Sequence, residues 1–249
     1  MTLKARFGKH PKRNDRSYRT LQLSKYFAGL PAAPEFTSNL NRVLTATKTT
    51  VAQLFPMDGN DLYGNCTIAA LAHLITMIYG FIGRTVIPTR AQAIALYLQL
   101  TGGQDTGLDM LTVLNYIRQN GWLGEKPVLA FAEVDIANNY LVQQSINAFG
   151  FNYTGFQVPR GCMAQFDAGG PWTRGPLTQD GHAVALVDYA RIHGLKALSW
   201  GGQVMGTWPW FDECVDESYV IVPQEAATPG YIPGLDIEHL LADLKEVTA

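Results

Sequence analysis

The fold is decided by one stretch of sequence, Met57-Asp-Gly-Asn-Asp-Leu-Tyr-Gly-Asn65 followed by Cys66-Thr-Ile-Ala-Ala-Leu-Ala-His-Leu-Ile-Thr-Met-Ile-Tyr79. The first part is rich in Gly, Asn and Asp, which predicts a turn. The second part is apolar on nearly every side, which predicts a helix that is buried all round. Cys66 is therefore expected to be the first residue of a buried helix that follows a tight turn.

A cysteine in that position is a candidate nucleophile. The free N–H groups and the dipole at a helix start stabilise a thiolate and lower the pKa of the thiol. A lone cysteine is nevertheless more often a packing residue, so other features must decide between the two. Cys162 and Cys214 are interpreted as packing residues. Three widely spaced cysteines give neither a disulfide framework nor a metal site, and they favour a reducing compartment.

Three further residues favour the nucleophile. His182 opens an apolar strand directly after Gly181, where it could face a cleft and act as the base toward a thiol. Asn60 lies six residues before Cys66, and its amide could donate to an oxyanion beside the Cys66 N–H. Trp200 ends the following strand, where its indole could shield the histidine from water.

The rest of the chain predicts helices first and strands second. Helices are expected at 90–100, 108–120, 136–149 and 237–247, and strands at 151–158, 182–189, 195–200 and 218–222. The strands are short, β-branched or aromatic, and bounded by Gly, Pro and Asp. This order predicts an α+β fold with segregated lobes, a helical lobe headed by the Cys66 helix and an antiparallel β lobe bearing His182.

These residues, taken together, resemble the papain-like cysteine peptidases. That family has an amide six residues before a cysteine that opens a buried helix, then a His-Ala-Val strand, then a strand carrying Asn-Ser-Trp-Gly. The matching pieces are Asn60, Cys66, His182-Ala183-Val184, Asp188-Tyr189, Ser199-Trp200-Gly201, Trp208 and Ser218-Tyr219, over roughly residues 52–222. The resemblance implies a two-lobed fold with its site in the cleft, Cys66, His182 and Asn60 as catalytic residues, and Asn65, Gly181 and Trp200 lining or shielding the cleft.

The chain departs from the family pattern at two positions. Asn60 stands where the family usually has a glutamine. Leu198 stands where the family has the asparagine that orients the histidine, and a leucine cannot accept a hydrogen bond from an imidazole. Ser199 and Asp188 are the candidates for the missing partner, although alternation along a strand puts Leu198 and Ser199 on opposite faces.

A narrower pattern is similar to an uncharacterised group associated with tailed bacteriophages and prophages. It consists of Met-Asp-Gly-Asn-Asp-x-Tyr-Gly-Asn-Cys, Gly-His-Ala-Val, and Trp-x-Trp-Phe-Asp-x-Cys-x-Asp-Glu. The last motif carries an acidic cluster of Asp212, Glu213, Asp216 and Glu217. Such a cluster is usually a solvated turn, and the alternative is a site for a cation or a basic substrate. His73, on the apolar helix, is interpreted as a core histidine.

Charge is distributed unevenly along the chain. Residues 1–20 carry a net charge of +6 and the remainder carries −8, within a total of −2. Residues 1–50 are therefore predicted to form an extended basic arm, and residues 51–249 a peptidase-fold domain. Either the body of the protein or a neighbouring chain is expected to hold the arm.

Composition excludes several classes of protein. With 47% apolar and 16% charged residues among 249, the chain is globular. No apolar run approaches the roughly 18 residues that span a bilayer, and no secretory signal pattern is recognisable. The dispersed basic residues of the arm are too few for a specific nucleic-acid reader. No membrane partner, cofactor or metal is expected.

Two functions remain open at this point. The first is a hydrolase of peptide, isopeptide or amide bonds, with a peptide or protein as substrate, located in the cytoplasm of the producing cell. The second is a virion structural protein, such as a decoration, connector or tail component, that keeps the fold with little or no catalysis. In that case residues 1–50 would contact virion partners or other copies of the chain.

Overall fold

The helices and strands follow the predicted order, with additions in both lobes. In the computed structural model, which describes residues 5–13, 20–27 and 32–248, the helices are α1 (Asn39–Thr47), α2 (Val51–Leu54), α3 (Cys66–Phe81), α4 (Arg90–Leu100), α5 (Met110–Asn120), α6 (Asn139–Phe149), α7 (Cys162–Asp167), α8 (Trp208–Cys214) and α9 (Ile237–Thr248). The strands are β1 (Leu21–Gln22), β2 (Val128–Glu133), β3 (Asn152–Pro159), β4 (Leu177–Ala190), β5 (Gly194–Ser199), β6 (Gly202–Gly206) and β7 (Val215–Pro223). Short 3-10 helices lie at Leu23–Lys25 and Gln224–Ala227.

The described strands form one seven-stranded sheet in the order β1-β2-β7-β3-β4-β5-β6. Strand β1 runs parallel to β2, and the other neighbouring pairs are antiparallel. The structure therefore has the predicted α+β fold, with helices before and around a mostly antiparallel sheet. The long central strand β4 carries His182.

Strand β4 is apolar from Ala183 to Val187 because both of its faces are covered there. Ala183, Ala185 and Val187 belong to the core built around α3, whereas Val184 and Leu186 belong to a second core on the opposite face. This assignment follows the alternation of side chains along a strand. Helix α3 lies across the first face, and its residues are buried from Cys66 to Gly80, as its sequence predicted.

The prediction of an extended segment over residues 1–50 is wrong for part of its length. Strand β1 pairs with β2 at the edge of the sheet, and α1 is a nine-residue helix. Helix α1 forms because Leu40 and Val43, three residues apart, bury their side chains fully on one face. The arm is therefore partly built into the body.

The sequence also missed elements in the second half of the chain. Strand β2 precedes α6, so the helices and strands are not strictly segregated along the sequence. Helix α6 was expected from residue 136 and begins at Asn139, because the Asn138 side chain accepts a hydrogen bond from the Leu141 N–H at 3.1 Å. Within the described residues, no helix combines the length and the apolar character needed to cross a membrane.

Candidate active site

The thiol of Cys66 lies at the start of α3, where the lobes meet. The preceding turn is fixed by Asn65, whose Nδ2 donates to the Asp58 carbonyl oxygen at 2.8 Å. Cys66 is 1% exposed, and burial raises the pKa of its thiol. The neighbouring backbone N–H groups of Ala183 and Gly8 oppose that rise. The residue after His182 therefore lies beside the thiol.

His182 is held in a ring of aromatic side chains on β4. Its imidazole stacks on the indole of Trp200 at 4.6 Å between centroids and meets the Phe156 ring edge-on at 5.6 Å. Its Nε2 lies 2.7 Å from the Ser199 Oγ, whereas its buried Nδ1 has no hydrogen-bond partner among the described residues. Burial lowers the pKa of His182 to about 3, so the ring is neutral at neutral pH.

Strand alternation explains why Ser199, and not the residue at the family's asparagine position, contacts the histidine. Leu198 faces the core around α3, and Ser199 faces the side of the sheet on which His182 and Trp200 lie. The other candidate, Asp188, is engaged elsewhere. Its Oδ1 accepts from the Asn39 N–H at 2.6 Å and from the Thr37 hydroxyl at 3.0 Å, which anchors the start of α1.

Trp200, predicted to shield the histidine, covers it from one side. It has a φ of 49°, a left-handed conformation that is rare for a bulky residue. Its ring is fixed by contact with His182 and by an edge-on contact with Phe166 at 5.1 Å. The backbone strain, of order 1 kcal/mol or more, therefore sits beside the candidate base.

The described N-terminal residues occupy the cleft between the lobes, which the sequence did not predict. The Arg6 N–H donates to the Asn60 carbonyl oxygen at 2.8 Å, and the Lys9 N–H donates to the Gly181 carbonyl oxygen at 3.1 Å. On the helical side, Leu108 accepts from the His10 N–H at 3.0 Å and donates to the Gly8 carbonyl oxygen at 2.9 Å. We call residues 5–13 the plug segment.

The plug segment uses the groups that the sequence assigned to catalysis. Asn60, the expected oxyanion donor, gives its Nδ2 to the Arg6 carbonyl oxygen at 2.9 Å and to the Tyr63 carbonyl oxygen at 3.1 Å. The Phe7 ring packs edge-on against His182 at 5.7 Å and against Trp200 at 5.9 Å. The structure thus gathers Asn60, Cys66 and His182 around one short peptide.

Gly8 allows the plug segment to approach the loop before Cys66 closely. A Cβ at this position would lie 1.8 Å from the carbonyl oxygen of Gly64, far inside any allowed contact. The Gly8 N–H lies beside the thiol and donates to the Gly181 carbonyl oxygen at 3.3 Å.

The other cysteine and histidine predictions are consistent with packing roles. Burial raises the pKa of Cys162 to about 12 and that of Cys214 to about 11. His73 is 2% exposed and its Nε2 lies 2.9 Å from the Pro56 carbonyl oxygen. In the part of the chain that the structure describes, no group of three His, Cys, Asp or Glu side chains could hold a metal ion.

Comparison with solved structures agrees with the predicted architecture. Xylellain, a cysteine protease from Xylella fastidiosa, has a TM-score of 0.60 and 16% identity, covering 89% of this chain and 97% of its own. Procathepsin B of Trypanosoma congolense has a TM-score of 0.57 and 11% identity, covering 90% and 88%. The Carica candamarcensis protease CMS1MS2, solved with E-64, has a TM-score of 0.54 and 15% identity, covering 76% and 98%.

The fold of this chain is that of the papain-like cysteine proteases. The identities of 16% or less make this a likeness of fold. No protein-family model matches the sequence, and no curated protein matches it either.

Proposed function

We propose that the chain is a papain-like thiol hydrolase of peptide, isopeptide or amide bonds, with Cys66 as nucleophile and His182 as base. One observation carries the proposal. The Cys66 thiol lies beside the Ala183 N–H of β4, next to His182, whose Nε2 lies 2.7 Å from the Ser199 Oγ while its Nδ1 makes no hydrogen bond to a described residue. The thiol and the imidazole are not hydrogen-bonded to each other in the described conformation, and the proposal assigns Cys66, His182 and Ser199 the roles of nucleophile, base and orienting group.

The proposed reaction has two steps, acylation of the thiol and hydrolysis of the thioester. Ser199 accepts the Nε2–H of His182, which leaves the Nδ1 lone pair to take the thiol proton as Cys66 Sγ attacks the substrate carbonyl carbon. Asn60 Nδ2 and the Cys66 N–H donate to the oxyanion. The protonated histidine then gives its proton to the leaving amine, and water hydrolyses the thioester to release the acid and the free thiol.

The described conformation is closed to this reaction. The thiol and the imidazole are both neutral, because burial raises the pKa of Cys66 and lowers that of His182. The plug segment also holds Asn60 Nδ2, which the oxyanion requires. Catalysis therefore needs the plug segment to leave, which would admit both water and substrate.

The test measures how strongly the reactivity of Cys66 depends on His182. The full chain carrying Gly8→Ala, in which the added methyl group expels the plug segment, is treated with iodoacetamide, and labelled cysteines are identified by mass spectrometry. We expect the added substitution His182→Ala to slow labelling of Cys66 about 100-fold, the scale of a lost general base. Equal labelling with and without His182 would refute the dyad. Cys162 and Cys214 serve as internal controls and should stay unlabelled in both proteins.

A second candidate function is assembly through the basic arm, as in a virion structural protein of phage origin. The observation that favours it is charge matching between the plug segment and the body. Lys12 pairs with Glu133, and Arg6 and Arg13 approach Asp105 and Asp109 at 3.8 and 3.9 Å. A neighbouring copy presents the same carboxylates, so exchanged arms would link copies within a particle or in the cytoplasm of the producing cell.

Assembly by arm exchange predicts a mass that depends on salt. At low salt the full chain should sediment as dimers or larger species, and at 1 M salt as a monomer, because screening weakens ion pairs. Analytical ultracentrifugation at the two salt concentrations measures this mass directly. A monomer at all salt concentrations would exclude the assembly role in solution.

A further inference from the structure

The side chain of Lys9 is buried between the lobes of the protein. Only 1% of it is exposed, and its Nζ lies 2.8 Å from the Glu217 Oε1 and 2.9 Å from the Asp216 Oδ2. A third contact, at 3.1 Å, joins Nζ to the His10 carbonyl oxygen. The ammonium therefore donates hydrogen bonds to Asp216 and to the His10 carbonyl oxygen, and it forms an ion pair with Glu217. Two members of the acidic cluster thus form a pocket, in place of the solvated turn that is usual for such clusters.

The pocket is shaped for a long, unbranched side chain. Gly155, on β3, lies under the stem of Lys9, and a Cβ there would meet the lysine Cε at 2.0 Å and the Met110 Sδ at 2.6 Å. The absence of a side chain at this position makes room for the methylene stem. Glu217 lies at the closed end with 1% exposure, whereas the Asp216 side chain is 36% exposed at the rim.

The negative charge of the two carboxylates in the pocket favours a cationic side chain. The Tyr219 hydroxyl donates to Glu217 Oε2 at 2.8 Å, which leaves Oε1 for the visiting ammonium. Burial would lower the pKa of Lys9, but the two carboxylates outweigh it and the pKa is raised. An unpaired carboxylate at the depth of Glu217 would be costly, so a neutral side chain would be a poor replacement.

The backbone around Lys9 is held by hydrogen bonds between main-chain atoms. Its own N–H donates to the Gly181 carbonyl oxygen, and the flanking Gly8 and His10 bond to Leu108. These hydrogen bonds use main-chain atoms and carry no sequence preference of their own. Selection along this part of the cleft therefore falls to two features, the close approach at Gly8, which excludes a side chain, and the pocket that receives the Lys9 side chain.

We propose that the pocket formed by Gly155, Asp216, Glu217 and Tyr219 is a lysine-specific subsite, which Lys9 fills in the closed state and a lysine of a peptide substrate fills in the open state. This inference rests on the proposed function, because it names the class of peptide that the cleft takes. It deepens that function by assigning a selective role to residues outside the catalytic group.

The test measures peptide binding without catalysis. The full chain carrying Gly8→Ala is titrated with a peptide copying residues 5–13, and with the same peptide carrying norleucine in place of Lys9. Norleucine keeps the stem and removes the ammonium, so we expect its Kd to be about 100-fold higher, on the scale of a broken buried pair. A third peptide, with norleucine in place of Lys12, is the matched control. Lys12 pairs with Glu133 nearer the surface, and its loss should change Kd at most about fivefold.

Substitutions on the protein side complete the comparison. Adding Glu217→Gln to the protein should weaken binding of the native peptide. It should also reduce the ratio of Kd values between the norleucine peptide and the native peptide to below about tenfold. Glu213→Gln, which removes an exposed carboxylate paired with Arg174, should change neither value. If Glu217→Gln fails to fold, the peptide comparison still decides, since it alters only the ligand. Equal Kd values for the native peptide and the Lys9-substituted peptide would overturn the proposal.

Binding and labelling separate the two proposals. Selective binding of the lysine peptide by a chain whose Cys66 reacts independently of His182 would support the subsite and refute the hydrolase. Labelling that depends on His182, with no preference between the peptides, would refute the subsite alone.

Discussion

Replacing Gly8 by alanine is expected to raise the rate at which iodoacetamide labels Cys66 by at least about 100-fold in the full chain. Five backbone hydrogen bonds, to Asn60, Gly181 and Leu108, hold the plug segment. At about 1 kcal/mol each, they would keep the open fraction near one in several thousand, since 1.4 kcal/mol is a factor of ten. A methyl group 1.8 Å from the Gly64 oxygen cannot be accommodated, so the segment leaves and the thiol is exposed.

The matched control adds the same methyl group where there is room for it. A Cβ on Gly175 would lie 3.6 Å from its nearest neighbour, the Arg160 carbonyl oxygen, which is an ordinary contact. Iodoacetamide should therefore label Cys66 in the Gly175→Ala variant at the wild-type rate. Wild-type labelling as fast as that of Gly8→Ala would show that the plug segment does not limit access to Cys66.

Acid is expected to destabilise the closed protein through His182. Its pKa is about 3 when folded and 6.5 in its ordinary state. Between those values the unfolded chain binds a proton that the folded chain does not, so the free energy of unfolding falls as the pH falls. The stabilising contribution is complete above pH 6.5 and is lost on the way to pH 3. From pH 7 to pH 4 the loss is about 3 kcal/mol, at about 1.4 kcal/mol for each pKa unit.

Urea unfolding of the full chain and of His182→Gln, at pH 7 and at pH 4, measures this contribution. Glutamine does not titrate and can still reach Ser199, so the variant should lose about 3 kcal/mol less than the wild type on acidification. Carboxylates titrate alike in both proteins and cancel in the difference. Equal losses would mean that His182 is not buried as a neutral ring.

Much of the fold could be predicted because its strongest signals are local. The apolar stretch from Cys66 is long enough and uniform enough to define a buried helix, and helix α4 was predicted with its observed bounds. Strand β2 was missed because its sequence, Val-Leu-Ala-Phe-Ala-Glu, fits either a buried strand or part of a helix. Helix α1 was missed because its amphipathic face spans only a few residues.

The structure places the predicted residues Asn60, Cys66 and His182 along the plug segment, but their contacts could not be predicted. Cys66, His182 and Asn60 follow from spacing, whereas the choice between Leu198 and Ser199 depends on which face of β5 meets the histidine. The place of Lys9 could not be foreseen, because its pairing with Glu217 joins positions 208 residues apart, and only the folded chain brings them together. The uneven distribution of charge along the chain indicated that the basic arm would contact acidic side chains, but it did not identify which carboxylates.

The plug segment is part of the same molecule as the cleft, and this has a kinetic consequence. A tethered ligand acts at an effective concentration on the order of 1 mM. A free peptide that makes the same contacts must reach a similar concentration, or bind about a thousandfold more tightly, to compete at micromolar levels. For the proposed hydrolase, turnover would therefore be governed less by the affinity of a substrate than by a partner that binds the displaced arm and prevents its return.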